Sequence, residues 1–262
     1  YRSEFYHFNV IKEMKKLIKS FLILSDYFLF VPVILSGLLL KFIRRAGMQR
    51  MKISRYLLIK LGVFPIIDHY YEPIFNYKKL SKPLSSNREL SGIDWNITKQ
   101  IDILKKLRFT SEIIEDGWKK YSERKFFFGN GSFESGDAEY LYNFIRYTKP
   151  KRVIEIGSGF STLIIKQAMD KNLYDDPDNK SKIICIEPYE QPWLETLGVK
   201  VIREKVENLN MTLFNELTEN DLLFIDSSHI IRPHGDVTHE LLDLLPRLNK
   251  GVFVHFHDIF SP

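Results

Sequence analysis

The sequence contains a single cysteine, Cys185, among 262 residues. One cysteine excludes a disulfide framework and any zinc site built from several thiolates, and it favours a reducing compartment. The sequence also lacks internal repeats and low-complexity runs. Apolar residues make up 44% and charged residues 27% of the chain, which excludes a disordered, collagen-like or multi-pass membrane protein. A chain of this length forms one sizeable core, or one core with an appendage.

Acidic residues are scarce at the N-terminal end. Residues 1–60 hold 12 Lys and Arg against 3 acids, a net charge of +9, whereas the remaining residues carry −4. The basic character of the chain therefore belongs to its first segment alone. A nucleic-acid surface needs a basic patch to neutralise phosphates, so the acidic remainder argues against nucleic-acid binding. Because the first residue is Tyr1, we expect a fragment or a processed form.

One long apolar run, Leu22–Leu40, lies inside the basic segment. Its 19 residues include one charge, Asp26, and one proline, Pro32. About 20 apolar residues span a bilayer, so the run predicts a membrane anchor. A membrane-inserted hairpin bent at the proline and a buried core helix are the alternatives. The following residues 41–60 carry seven positive charges and no acid, which predicts that the rest of the chain lies on the cytoplasmic side and that residues 12–60 contact membrane lipid.

Residues 61–132 have the composition of a connector between two parts of the chain. The stretch 62–73 is aromatic and punctuated by proline, and 81–91 is polar. Apolar residues at helical spacing predict a helix over 97–107.

From residue 133 onward, short apolar runs alternate with helical patterns. We predict helices over 138–147, 161–170, 208–217 and 237–245. We predict strands over 152–156, 182–186, 199–202, 221–225 and 251–256. This alternation is typical of a Rossmann-like α/β fold, a parallel sheet with helices on both faces. The chain stops just after the fifth strand, so the sheet is expected to be truncated there.

Polar side chains follow four of these strands. They are Glu187, Asp226 and the pair His257 and Asp258, together with the turn that begins at Gly157. Ligands of parallel α/β sheets bind beyond the carboxyl ends of the strands. These positions are therefore the candidate functional site.

The turn after the first strand reads Glu155-Ile156-Gly157-Ser158-Gly159. Glycines at such a turn allow a ligand to approach the backbone closely. Glu187, 30 residues after Gly157, is placed to accept hydrogen bonds from ribose hydroxyls. A dinucleotide-binding Rossmann turn has its acid about 20 residues on and a glycine where this chain has Thr162, so that alternative fits less well.

The Glu155-x-Gly157-x-Gly159 turn with a later acidic Glu187 resembles motif I and the following acidic position of class I S-adenosylmethionine-dependent methyltransferases. The strings KPKRVIEIGSGFSTL and DLLFIDSSH…LLDLLPRLNKGVFVHFHDIF resemble a bacterial branch associated with glycan and small-molecule methylation. The resemblance covers residues 133–262. The chain departs from motif I where Ser161 stands in place of the usual third glycine.

The resemblance implies S-adenosylmethionine as cofactor and a set of cofactor-binding residues. That set is Glu155, Gly157, Ser158, Gly159, Ser161, Glu187 and Asp226. In it, Glu155 lies below the methionine end of the cofactor and Glu187 binds the ribose.

The residues after the fourth and fifth strands offer two ways to activate an acceptor hydroxyl. Asp226, His257 and Asp258 could hold Mg²⁺ or Mn²⁺, as acids and an amide do in catechol-type O-methyltransferases. In the metal-free alternative, His229 or His257 is the general base, oriented by Asp226. A purely structural role of these residues is the third possibility.

The sequence thus predicts a methyltransferase that methylates a small-molecule or glycan hydroxyl at the cytoplasmic membrane face. A nicotinamide-dependent oxidoreductase and a non-catalytic membrane-attached scaffold are the alternatives.

Overall fold

The structure, a computed structural model, describes residues 2–68, 77–83, 85–86, 91–115, 118, 124–189 and 191–259. Residues 69–73, part of the aromatic, proline-containing stretch 62–73 that the sequence singles out, lie outside this set. The chain divides into two compact units, residues 1–87 and 88–262.

The first unit contains two helices, α1 (Arg2–Ala46) and α2 (Lys52–Leu61). Helix α1 continues through Pro32, so the hairpin bent at this proline does not occur. Among the described residues, one helical stretch, Lys16–Ala46, is long and apolar enough to cross a membrane, with a mean hydropathy of 2.1. None of its apolar window is buried, whereas a core helix would be mostly buried. Helix α2 ends at Gly62, whose φ of +70° is the left-handed conformation that glycine adopts without a Cβ penalty.

The second unit contains a sheet of five parallel strands. These are β1 (Arg152–Ile156), β2 (Lys182–Ile186), β3 (Lys200–Ile202), β4 (Leu222–Ile225) and β5 (Phe253–Phe256), in the order β3-β2-β1-β4-β5. The predicted parallel Rossmann-like sheet is therefore confirmed. Strands β1 and β4 are central and almost entirely buried, which explains why they read as continuous apolar runs.

One face of the sheet is covered by helices α5 (Asp137–Thr148) and α6 (Phe160–Asp175). Residues upstream of α5 join the same core. Trp118, Phe126 and Phe133 are each 3% exposed or less and pack with Tyr142 and neighbouring side chains. Two short helices, α3 (Ile97–Lys106) and α4 (Thr110–Glu115), precede them.

A buried ion pair ties α4 to this core. Arg146, 2% exposed, donates to both carboxylate oxygens of Glu112 at 2.7 and 2.8 Å, and also to Asp175 at 2.5 Å. These carboxylates compensate the charge of the buried guanidinium. Removal of one of them would leave an uncompensated buried charge, which is strongly destabilising.

The other face is covered by short irregular turns, which differ from the regular helices predicted there. Residues Val206–Asn208 and Met211–Glu216 form separate 3₁₀ turns, because the extended residues between them break the helix. After a single turn of α-helix, α7 (Asp236–His239), residues Glu240–Leu244 form a π turn that tightens to 3₁₀ at Leu245–Arg247. Pro246 accounts for the change, since it has no N–H to donate to the preceding turn. Phe214, Leu217 and Leu244 from these turns are buried against the sheet.

Candidate functional site

The parallel hydrogen-bond ladder extends one residue beyond the carboxyl end of each central strand. Gly157 N–H donates to Ile186, and Glu187 N–H to Ile202. Asp226 N–H donates likewise to the carbonyl of Ile156 at 2.8 Å. Consecutive strand ends therefore hold Gly157, Glu187 and Asp226 at one edge of the sheet, as the sequence predicts.

The glycine turn after β1 approaches the end of β4 very closely. Gly157 has a φ of +78°, and a Cβ built on it would lie 1.9 Å from the carbonyl oxygen of Asp226. No side chain fits between these two backbones. Gly159 is different, because a Cβ there would meet nothing within 4 Å. The first glycine is therefore required by packing between strand ends.

Glu155 and Ser161 are buried beneath the turn. The Ser161 hydroxyl donates to Oε1 of Glu155 at 2.7 Å, and the Thr162 hydroxyl donates to Oε2. Burial raises the pKa of Glu155 to about 7, opposed by these hydrogen bonds. This side chain anchors the first turn of α6 and does not line the open cleft.

Cys185, on β2 next to Glu155, is fully buried. Burial and the neighbouring carboxylate raise the pKa of its thiol, so it is an inert core residue.

A cleft of about 710 Å³ opens between the ends of β1, β2 and β4. The cleft is lined by residues from the three strand ends and the loops that follow them: Ile156, Gly157, Ile186, Glu187, Pro188, Tyr189, Lys205, Val206, Glu207, Asp226, Ser227, Ser228 and residues 232–236. Its volume lies within the range of small-molecule and cofactor sites. Predicted residues Gly157, Glu187 and Asp226 meet here.

The carboxylate of Glu187 lies on the β2 side of the cleft. It accepts backbone N–H groups of Ser158 at 3.3 Å and Tyr189 at 2.9 Å, one on each oxygen. Glu187 therefore brings a hydrogen-bond acceptor to the wall of the cleft.

Asp226 also belongs to a second group of side chains, which reaches the ends of both β4 and β5. Its Oδ1 lies 3.2 Å from Nε2 of His229 and 3.2 Å from Nδ1 of His257. The Oδ2 atom of Asp258 lies 3.9 Å from His229 and 3.6 Å from His257. On the far side of the His257 ring, Asp137 Oδ2 lies 3.4 Å from Nε2. We call Asp226, His229, His257 and Asp258 the acid–histidine cluster.

His257 is held in its protonated form. Its side chain is 7% exposed and faces three carboxylates. The hydrogen bond to Asp226 is the main cause that raises its pKa to about 9, against the opposing effect of burial. A protonated imidazole has no free lone pair, so His257 is a hydrogen-bond donor at neutral pH. Of the two histidines predicted as general base, His229 is the one that remains available.

Two members of the acid–histidine cluster have strained backbones. His229 has a φ of +58° and Asp258 a φ of +54°, both in the left-handed region that residues other than glycine rarely adopt. Such strain concentrates at functional sites, where the surrounding structure holds it in place.

The predicted metal ligands were Asp226, His257 and Asp258. Within the described residues, the group able to hold an ion is Asp226, Asp258 and His229, whose ligand atoms all lie within 4.8 Å of one another. This set contains His229 where the sequence predicted His257. The two carboxylates and one imidazole fit a divalent first-row metal, although the cationic His257 beside them opposes its binding.

Sequence reasoning missed Asp137, which lies at the start of α5, 120 residues before the histidine that it faces. It also missed Glu240, whose carboxylate accepts the Ser227 hydroxyl at 2.9 Å and whose pKa burial raises to about 7. Neither follows a strand, so the strand-end pattern could not identify them.

Comparisons with known proteins agree with this geometry. The model of a family described as "Methyltransferase domain" matches residues 154–259. An uncharacterized protein of Archaeoglobus fulgidus is 31% identical over 173 residues, which cover 60% of this chain and 75% of that protein.

Two solved structures show weaker similarity. A chain described as a protein-L-isoaspartate O-methyltransferase from Plasmodium falciparum, in complex with S-adenosyl-L-homocysteine, has 17% identity and a TM-score of 0.28 over 45% of this chain and 61% of its own. The apo-structure of D-lactate dehydrogenase from Escherichia coli has 16% identity and a TM-score of 0.28 over 61% of this chain and 40% of its own. At such TM-scores neither structure carries an argument.

The strand order, the glycine turn and the family match lead to one assignment. Residues 154–259 match the methyltransferase-domain family, and the parallel sheet of this part of the chain has the Rossmann-like fold of class I S-adenosylmethionine-dependent methyltransferases.

Proposed function

We propose that the chain transfers a methyl group from S-adenosylmethionine to a hydroxyl oxygen of a small-molecule or glycan acceptor. The observation that carries this proposal is the position of Asp226, which lines the cofactor-sized cleft and also belongs to the acid–histidine cluster. Asp226 therefore connects the site that binds the cofactor with the side chains that would activate the acceptor. When bound, the cofactor supplies a methyl group on a positively charged sulfur.

Different residues of the cleft bind different parts of the cofactor. The Glu187 carboxylate accepts hydrogen bonds from the two ribose hydroxyls, and the backbone of Gly157, Ser158 and Gly159 lies along the ligand. Ile186 and Val206 provide an apolar surface for the adenine ring of the cofactor. Glu155 and Ser161 position the turn from below and make no contact with the ligand themselves.

His229 is the general base of the proposal. The ionised carboxylate of Asp226 can only accept hydrogen bonds, so Nε2 of His229 carries the hydrogen and Nδ1 is left to take a proton from the acceptor hydroxyl. His257, donating to the same carboxylate oxygen, orients Asp226. In this arrangement the Asp226 carboxylate holds the base, His229, in a single tautomer.

The replacement Glu187→Ala tests the cofactor assignment. Two hydrogen bonds to a charged acceptor are lost, each contributing about 1.5–3 kcal/mol, so we expect cofactor affinity to fall at least about 100-fold. Titration calorimetry with S-adenosylmethionine and with S-adenosylhomocysteine measures this. Glu216→Ala, exposed and outside the cleft, is the matched control and leaves affinity unchanged. Tight binding of NAD in place of the sulfonium ligand would instead favour the oxidoreductase alternative.

The replacement His229→Asn tests the role of His229, and chelation with EDTA separates the metal-free mechanism from the metal-dependent alternative. We expect transfer of labelled methyl groups to a membrane extract to fall about 10²- to 10⁴-fold, with cofactor affinity unchanged, because only the base is removed. His239→Asn, whose ring faces Asp243 at 3.4 Å, is the control. Wild-type activity is expected to survive chelation with EDTA. Loss of activity that Mn²⁺ or Mg²⁺ restores would support a metal held by Asp226, His229 and Asp258.

The same proposal puts the enzyme at the cytoplasmic face of a membrane, attached through residues 12–60. The exposed apolar stretch Lys16–Ala46 and the net charge of residues 1–60 support it, since basic residues beside an apolar helix favour the cytoplasmic side and anionic lipid.

A further inference from the structure

The loop that follows β4 exposes two adjacent isoleucines. Ile230 is 61% and Ile231 is 77% exposed, although isoleucine is among the residues most often buried. They directly follow His229 and directly precede Arg232, which lines the cofactor cleft. A third isoleucine, Ile259, is 70% exposed beside Asp258 at the next strand end. The proposed reaction site is therefore bordered by apolar side chains.

Hydrogen bonds hold this loop in its shape. The backbone N–H and hydroxyl of Ser228 both donate to Asp236, at 2.9 and 2.8 Å. On the other side, the carbonyl of Arg232 accepts the Thr238 hydroxyl at 2.8 Å and the Gly235 N–H at 3.1 Å. These bonds hold the backbone on both sides of the two isoleucines.

The chemistry of the loop indicates what covers it. Contact with a bilayer would remove both isoleucine side chains from water, and the adjacent Arg232, 56% exposed and 3.5 Å from Asp236, adds a positive group that an anionic surface attracts. The same chain carries an exposed apolar helix long enough to span a bilayer. A domain tethered to a bilayer meets that surface at a high effective concentration, so even a small apolar patch suffices for contact.

We propose that Ile230 and Ile231 insert into the headgroup region of the bilayer and hold the mouth of the reaction site against the membrane. This inference rests on the proposed membrane attachment and extends it to the acceptor. His229 would then face the headgroup layer, so the acceptor is a hydroxyl carried on a membrane lipid or on a lipid-linked group. An acceptor dissolved in the aqueous phase would have to enter from a side that the bilayer closes.

Spin labelling of the full chain tests the insertion. Cys185 is buried with an unreactive thiol, so Ile231→Cys introduces the one accessible cysteine among the described residues. The labelled protein is reconstituted in vesicles of phosphatidylcholine with one third phosphatidylglycerol. Power saturation with oxygen and with a water-soluble nickel chelate then reports depth. Tyr174→Cys is the matched control, because Tyr174 is 80% exposed near the end of α6, at the opposite edge of the sheet.

We expect the label at position 231 to lie about 5–10 Å inside the bilayer surface and the label at position 174 to be fully accessible to nickel. If the protein floats with the vesicles but both labels are equally accessible to nickel, the loop proposal is overturned while the membrane anchor stands. If the protein does not float with the vesicles, both are overturned. Neither result bears on the proposal that the cleft binds S-adenosylmethionine, which titration calorimetry tests separately.

The double replacement Ile230→Ser with Ile231→Ser adds a functional measurement. Both side chains are exposed, so the fold and the affinity for S-adenosylmethionine should be unchanged. We expect methyl transfer to a membrane extract to fall at least about 10-fold. An unchanged rate would show that the isoleucines do not deliver the acceptor.

Discussion

Gly157→Ala is expected to destabilise the methyltransferase domain by at least about 3 kcal/mol and to abolish measurable cofactor binding. The new Cβ would lie 1.9 Å from the carbonyl oxygen of Asp226, an overlap that only a backbone shift can relieve. The φ of +78° adds about 1–2 kcal/mol for a residue with a side chain. For a domain of this size we expect the melting temperature to fall by at least about 6–12 °C.

Gly159→Ala provides a matched control within the same turn. A Cβ at this position meets nothing within 4 Å, and the φ of −167° is extended backbone that any residue adopts. We therefore expect its melting temperature to stay close to that of the wild type. Thermal unfolding and calorimetry on the two variants measure the difference. Equal losses in both would show that the close approach of β1 and β4 is not what requires glycine.

Asp226→Asn is expected to have the largest effect on activity, a fall of about 10³-fold or more in the methyl transfer rate. Both imidazoles contact the same oxygen, Oδ1, and the amide that replaces the carboxylate is uncharged, with an N–H₂ group in place of the other oxygen. The protonated form of His257 therefore loses its main stabilising charge, and His229 is no longer oriented by a charged acceptor. Asp258→Asn is the control, because its carboxylate lies farther away, 3.6 Å from His257.

The same replacement changes how stability depends on pH. The folded-state pKa of His257 is raised to about 9, so the stability that it contributes is fully present below about pH 6.5, the unfolded value, and is lost as pH rises through about 9. In Asp226→Asn we expect the NMR-measured pKa of His257 to fall and this loss of stability between pH 7 and 9 to disappear. A His257 pKa unchanged by the replacement would contradict the assigned hydrogen bond.

Much of the fold follows from local pattern. The runs 152–156 and 182–186 are predicted as strands with the bounds that the structure has, because buried parallel strands require continuous apolar residues. The short helices were predicted less well. Residues 208–217 and 237–245 have helical spacing, yet proline, extended residues and packing on the sheet convert them to 3₁₀ and π turns.

The candidate site divides in a similar way. Glu187 and Asp226 were predicted to face one cleft, since parallel strand ends meet at one edge and a residue's position after a strand can be read from the chain. The choice between His229 and His257 could not be made at that stage. It depends on distances to Asp226, Asp137 and the buried surroundings of the ring, which involve residues far apart in sequence.

The sequence by itself determined the class of fold, the glycine turn, the acids at the strand ends and the apolar N-terminal helix, because each is encoded by residues adjacent or periodic along the chain. Only the tertiary structure decided that Gly157 must be glycine against Asp226, that His257 is protonated, and that two isoleucines project beside the site. Close approach, pKa and exposure depend on what surrounds an atom in space, and that environment comes from segments that the chain brings together only on folding.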